Sequence, residues 1–295
     1  MTQDLLKIEF SLPAADYDDA VVFLSSAIQH GWEESQAVDG ATHFSTYLEN
    51  HEAAREVARQ IGERWPHSGL RTEEAMSQDW GQSWREFFTP IECGERFEIL
   101  PPWLSDDKKE GFTPIIIEPK MAFGTGHHPT TALCLTCIAD LHREGAIAPG
   151  MEFLDLGTGS GILGIGLAKL GLTGQGLDID PQAISCAAEN AVINNVAEAL
   201  AMSVGGIHAV PAGKTFQVIV ANILSKPLIF MARDILSHVA PGGCLVLSGI
   251  LVEQAPDVIR AYVRLGLPEP VQRNDGEWCG LLWTNIQQGE PAAEA

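Results

Sequence analysis

Three glycines at two-residue spacing, in Asp155-Leu-Gly157-Thr-Gly159-Ser-Gly161, leave few folds open to this chain. They follow an apolar segment, Phe153 to Leu156, that reads as a strand. They precede Ile162 to Leu170, which reads as a helix. Without side chains over the loop, the backbone turns tightly and a ligand can approach the helix N-terminus closely. The same run contains Gly159-x-Gly161-x-x-Gly164, which satisfies the dinucleotide fingerprint and is common on that account. The next strand, Gly174 to Ile179, ends in Gly176-Leu-Asp178-Ile-Asp180. Asp178 follows Gly157 by 21 residues. An acidic residue there is placed to accept both hydroxyls of an adenosine ribose.

Beyond this unit strands and helices keep alternating. Gln182 to Asn194 is a helix opened by Asp180-Pro181, an N-cap followed by proline at the first helical position. Phe216 to Ala221 is a very apolar strand and Leu228 to Val239 a helix. Cys244 to Ser248 is a strand, Glu253 to Leu265 a helix, and Trp278 to Thr284 a last strand. Repeated β-α units imply an α/β fold with a mostly parallel, doubly wound sheet and helices on both faces.

The first 75 residues read as a separate small α+β unit. Leu5 to Phe10 is a strand. Asp16 to His30 is a helix with Ala20, Phe23, Leu24, Ala27 and Ile28 at 3,4 spacing. Trp32 to Val38 and Thr42 to Leu48 flank the turn dipeptide Asp39-Gly40. Glu52 to Trp65 is a second helix, with Val57, Ile61 and Trp65 on one face, and Gly69 to Ala75 a fourth strand. The order β-α-β-β-α-β is that of a ferredoxin-like sandwich, a fold that by itself defines no function. The expected organisation is therefore 1–75 as the small domain, 76–120 as a proline-broken connector, 121–286 as the α/β domain, and 287–295 as a polar tail. In the connector Trp80, Trp84, Phe87 and Phe88 share a helical face, read as packing rather than a ligand cage.

Charge narrows the partners. Lys+Arg number 18 and Asp+Glu 39, a net of −21. Such a chain is a poor ligand for phosphate backbone, so no direct nucleic-acid binding is expected. Residues 1–75 carry 5 basic and 14 acidic side chains, a net of −9, a face able to attract a basic protein. The N-terminus lacks a signal-peptide pattern. The two charge-free stretches, 121–139 and 235–252, are interrupted by glycine and proline, so no membrane span is expected. Six cysteines without a dense framework fit a reducing cytoplasm.

Both a nicotinamide dinucleotide and S-adenosylmethionine fit a glycine loop followed by Asp178. Three features favour the second. Asp155 precedes the glycines by two; a carboxylate there can order the loop and approach a cationic ligand but would repel a pyrophosphate. Val220-Ala-Asn222-Ile-Leu224 exposes an amide at the carboxyl edge of the sheet. Phe123-Gly124-Thr-Gly126-His-His-Pro129-Thr-Thr131 reads as a lid with hydroxyls at its base, leading into a helix. Other tempting groups have plain readings. Cys134-Leu-Thr-Cys137 lies in a helix without a second pair and reads as buried thiols. His127 and His128 read as loop packing, Asp180 as a cap, and no metal site is expected. Trp103 and Phe123 are candidates to flank the site or to pack the connector.

At these residues the sequence resembles the bacterial ribosomal protein L11 methyltransferases, the PrmA type. Phe123 to Thr131, Asp155 to Leu163, Asp178-Ile-Asp-Pro-Gln-Ala183, Ala221-Asn-Ile-Leu224, the Trp80/Trp84 connector and Glu277-Trp278 carry the likeness, over about residues 1–286. The resemblance implies a class I (Rossmann-like) methyltransferase sheet with S-adenosylmethionine as cofactor and S-adenosylhomocysteine as product. It implies cofactor contacts at Thr131, Gly157, Asp178 and Asn222. With Phe123, Gly124, Asp155, Gly159 and Gly161 these make the expected cofactor set. It also implies methylation of lysine ε-amines and the N-terminal α-amine of large-subunit protein eleven, recognised by the small N-terminal domain; with the net charge of −21, this basic substrate is expected to be bound free of rRNA. Asn222 is the candidate to orient the amine. The motif is Asn-Ile-Leu rather than the Asn-Pro-Pro-Tyr of glutamine and adenine methyltransferases, which suits an alkylamine. The alternatives are a lysine methyltransferase of another protein, such as the electron-transfer flavoprotein β subunit, and a nicotinamide-dependent oxidoreductase.

Overall fold

The computed structural model describes residues 4–28, 32–36, 41–48, 51–76, 89–118 and 128–287. The chain forms two compact units, Met1–Phe88 and Thr89–Ala295.

In the first unit β1 (Asp4–Leu12), α1 (Tyr17–Ala27), β2 (Glu33–Gln36), β3 (Thr42–Leu48), α2 (His51–Arg64) and β4 (Arg71–Met76) follow one another in the expected order. The four strands make one antiparallel sheet in the order β2-β3-β1-β4. Alternate residues of β1, Leu6, Ile8, Phe10 and Leu12, all point into the core, as the two-residue period of a one-sided sheet requires. They meet Ala20, Leu24 and Ile28 from the α1 segment and Ala54, Val57, Ala58 and Ile61 from α2. Phe10 stacks on Phe44 with ring centroids 5.0 Å apart.

The second unit begins earlier than expected. Residues 89–118, read from their prolines as connector, belong to it. β5 (Ile91–Cys93), β6 (Phe97–Leu100) and β7 (Thr113–Ile116) form a three-stranded sheet. Its Cys93, Phe97, Ile99, Ile115 and Ile117 join the main core. The prolines punctuate the ends of short strands whose interiors are apolar enough to be buried. Trp80, Trp84, Phe87 and Phe88 lie outside the described residues, as do Phe123, Gly124 and His127.

The main sheet has seven strands: β8 (Glu152–Leu156), β9 (Thr173–Asp178), β10 (Leu200–Val204), β11 (Phe216–Asn222), β12 (Val239–Leu251), β13 (Val271–Asp275) and β14 (Trp278–Ile286). Their spatial order is β10-β9-β8-β11-β12-β14-β13. Five neighbouring strands are parallel, and β14 runs antiparallel between β12 and β13. Alternate residues enter opposite cores: Phe153, Val218, Val220, Cys244 and Val246 on one face, Leu154, Leu156, Ile219, Ala221, Leu245 and Leu247 on the other. The helices are α3 (Pro129–Arg143), α4 (Ile162–Lys169), α5 (Pro181–Ile193), α6 (Ser225–Phe230), α7 (Ala232–Ser237) and α8 (Ala255–Val263). The single helix expected over 228–239 is two short ones. The chain order reverses between β8 and β11, and ligands of such sheets bind at the carboxyl ends of the strands there. Among the described residues no helix is long and apolar enough to cross a membrane.

Candidate active site

A cavity of about 460 Å³ opens at that reversal point. The carboxyl ends of β8, β9 and β11 bring Gly157, Asp178 and Asn222 to its wall, and the first turn of α3 brings Thr131. Gly159 joins them. Asp155 and Gly161 do not line it.

The loop has the backbone that its glycines allow. Gly157, Gly159 and Gly161 have φ of +75°, +54° and +84°, a region costly for residues with a Cβ. A Cβ on Gly157 would also lie 2.3 Å from Cγ2 of Ile223. The Asn-Ile-Leu segment therefore presses directly on the loop, a contact the sequence reading missed.

Asp155 builds the loop from beneath. Strand alternation turns it away from the Leu154–Leu156 face, and it is fully buried. Its Oδ2 accepts from the Thr158 hydroxyl at 2.6 Å and the Gly164 amide at 3.0 Å. Among the described residues its Oδ1 has no hydrogen-bond partner. Burial, aided by the Asp178 charge and opposed by the Thr158 and Gly164 bonds, raises this carboxyl to about 6. The expected ordering role is thus visible in its bonds to Thr158 and Gly164, while Asp155 itself does not line the cavity.

Asp178 sits on the other side of the loop. Oδ2 accepts from the Gly159 amide at 2.9 Å and Oδ1 from the Asp180 amide at 3.0 Å. Each oxygen keeps a lone pair for a ligand. Asp180 accepts from the Gln182 amide at 2.8 Å and caps α5, as its Asp-Pro context indicates. The side-chain amide of Asn222 donates to the Thr131 hydroxyl at 3.4 Å, which leaves its Oδ1 as an acceptor. His128 is the N-cap of α3 and packs edge-on against Trp278, with ring centroids 4.7 Å apart. Cys134 and Cys137 are buried thiols raised by burial.

Apart from Thr158, the rest of the wall carries no polar side chain. Ile179 and Leu224, 81% and 71% exposed in the protein, stand beside Asp178 and Asn222 and line it with Pro227 and Met231. An exposed isoleucine directly after the strand-end acid was the available signal for this apolar wall. Among the described residues the only ionisable group in the wall is Asp178. A pyrophosphate would meet one negative charge and no Lys or Arg; a cationic ligand would meet attraction.

A seven-stranded sheet with its last strand antiparallel between the fifth and sixth, and a cavity at its glycine loop, defines a class I, Rossmann-like methyltransferase fold. It departs from the dinucleotide-binding order 3-2-1-4-5-6 by that inserted strand. The family model described as ribosomal protein L11 methyltransferase (PrmA) matches residues 12–285. A protein named ribosomal protein L11 methyltransferase from Trichlorobacter lovleyi is 42% identical over 216 residues, 71% of this chain and 68% of that one. One of the same name from Chloroflexus aurantiacus is 34% identical over 269 residues, 80% of each. A crystal structure titled ribosomal protein L11 methylase, from Lactobacillus delbrueckii subsp. bulgaricus, superposes with a TM-score of 0.60 at 29% identity, covering 68% of this chain and all of that one. The chain belongs to the ribosomal protein L11 methyltransferase (PrmA) family.

Proposed function

We propose that this chain binds S-adenosylmethionine at the carboxyl edge of its main sheet and transfers methyl groups to lysine ε-amines and the N-terminal α-amine of ribosomal protein L11. The supporting observation is one cavity whose only charge among the described residues is the Asp178 carboxylate, with Asn222 held on Thr131 beside it. Asp178 would accept the ribose hydroxyls, the apolar Ile179 side would take the adenine, and the loop at Gly157 and Gly159 would meet the methionyl part. Phe123 and Gly124 complete the proposed cofactor set. When bound, the cofactor supplies an electrophilic sulfonium methyl.

The acceptor must arrive neutral. A lysine with pKa near 10.4 is neutral only to about 1 part in 10³ at pH 7. The described wall contains no strong base. The site therefore works by desolvation, which lowers an amine's pKa, and by orientation. Asn222 Oδ1 accepts an N–H of the amine and turns its lone pair toward the methyl; the released proton leaves to solvent. The absence of an aromatic residue in the motif after Asn222 leaves room for a partly methylated amine to turn and react again. The acidic first unit recruits the basic substrate free of rRNA.

The test incubates the purified protein with S-adenosylmethionine and unmethylated L11 and maps the products by mass spectrometry. Methyl increments on lysines and the N-terminus are expected. Methylation confined to other residue types, or none with demonstrated cofactor binding, overturns the substrate assignment.

A further inference from the structure

The glycine loop is held from one more side than the site chemistry uses. Asn190 and Asn194 lie one turn apart on the inward face of the α5 segment and are nearly fully buried. Asn194 clamps the free edge of β7: its Oδ1 accepts from the Ile116 amide at 2.9 Å, and its Nδ2 donates to the Ile116 carbonyl at 2.6 Å. Nδ2 also donates to the Asn190 carbonyl at 2.9 Å. Asn190 then accepts from the Glu118 amide at 3.2 Å and donates from Nδ2 to the Ser160 carbonyl at 2.9 Å.

That last bond reaches the loop. Ser160 lies between Gly159 and Gly161, residues that place little steric restriction on backbone rotation. The Ser160–Gly161 peptide is nevertheless gripped at both ends: its N–H donates to the Thr158 carbonyl at 2.8 Å and its C=O receives Asn190. It cannot rotate without losing both bonds. Its orientation is coupled in turn to Gly159, whose amide holds Asp178. A Cβ on Gly161 would lie 3.1 Å from Cβ of Ala187, so α5 presses on the loop from the same side.

We propose that Asn190 is a positioning residue for cofactor binding: it locks the Ser160–Gly161 peptide and thereby presets the loop and the Asp178 carboxylate for the ligand. Asn194 does the neighbouring but separate work of fixing β7. The inference rests on the reading of the cavity as a S-adenosylmethionine site.

The two asparagines supply the control. Each loses buried hydrogen bonds on substitution by alanine, so each variant melts lower than wild type. Only Asn190 touches the glycine loop. Calorimetric titration of the full chain with S-adenosylmethionine, well below the melting temperatures, is expected to give a Kd raised about tenfold or more in Asn190→Ala. In Asn194→Ala it stays within about twofold of wild type. Asn190→Leu keeps the side-chain volume and gives the same answer should the alanine variant not fold. An unchanged Kd in the Asn190 variants, or equal shifts at both positions, overturns the positioning role and leaves only a structural one. Wild-type protein that fails to bind S-adenosylmethionine overturns the cofactor reading itself, and the inference with it.

Discussion

Asp155 and Asp178 end adjacent parallel strands and flank the same glycine loop, yet their surroundings are opposite. Asp155 is fully buried beneath the loop, spends one oxygen on Thr158 and Gly164, and finds no partner for the other among the described residues. Asp178 lies on the cavity side with each oxygen on a backbone amide. Residue type and spacing make both look like ligand contacts. Strand alternation and the path of the loop bury one beneath the glycines and bring the other to the cavity wall, where we propose that it binds the cofactor. The contrast teaches that an acid beside a glycine loop must be assigned by the side of the loop it occupies.

The contrast breaks most sharply under substitution. Asp178→Ala is expected to weaken S-adenosylmethionine about 100-fold or more, the loss of two charge-assisted hydrogen bonds. Asp155→Asn, which keeps an acceptor for Thr158 and Gly164, should stay within about fivefold; calorimetric titration reads both. Similar losses at the two positions would erase the division of roles.

Next in size is the loop's rigidity. Gly157→Ala places a Cβ against Ile223 at φ +75° and should cost about 2–3 kcal/mol in denaturant melts, with weakened cofactor binding. Gly213→Ala, at φ +79° in open space, should cost only about 1 kcal/mol with binding unchanged.

The buried acid carries a pH signature. Its carboxyl is raised from 3.8 to about 6, so the folded state holds that proton more tightly than the unfolded chain does. The cost of the buried charge is therefore absent at low pH, grows as pH rises from about 4 to about 6, and is complete above that. Relative to wild type, Asp155→Asn should gain stability across that window, by on the order of 2–3 kcal/mol between pH 4 and 7. A difference that does not vary with pH would contradict the assignment. The smallest expected effect is on the first unit: its acidic surface should make L11 association slow by about threefold between low and moderate salt, read by stopped flow.

Much of the α/β unit was legible because its signals are local. The glycine loop, the Asp180-Pro181 cap and the apolar runs of β8 and β11 each declare themselves within a few residues. β10 (Leu-Ala-Met-Ser-Val) and β13 (Val-Gln-Arg-Asn-Asp) did not: both are edge strands with mostly exposed or half-buried side chains, so neither shows a buried run. The β5-β6-β7 sheet hid behind its prolines. In the site, Gly157, Gly159 and Asp178 were readable from spacing, Asn222 and Thr131 from residue type and the family resemblance, and the structure brings all five to one wall. The underside position of Asp155, the Ile223 contact and the Asn190 link to Ser160 were not, because each depends on elements distant in sequence meeting in the fold.

In the proposed function the cavity binds the methyl donor and Asn222 presents an amine to it. Asn222→Ala, assayed with labelled S-adenosylmethionine and purified L11 alongside direct titration of the cofactor, tests this most directly. Methyl transfer is expected to fall about 100-fold or more, with cofactor affinity within about fivefold of wild type. Transfer at the wild-type rate with unchanged cofactor binding would contradict it.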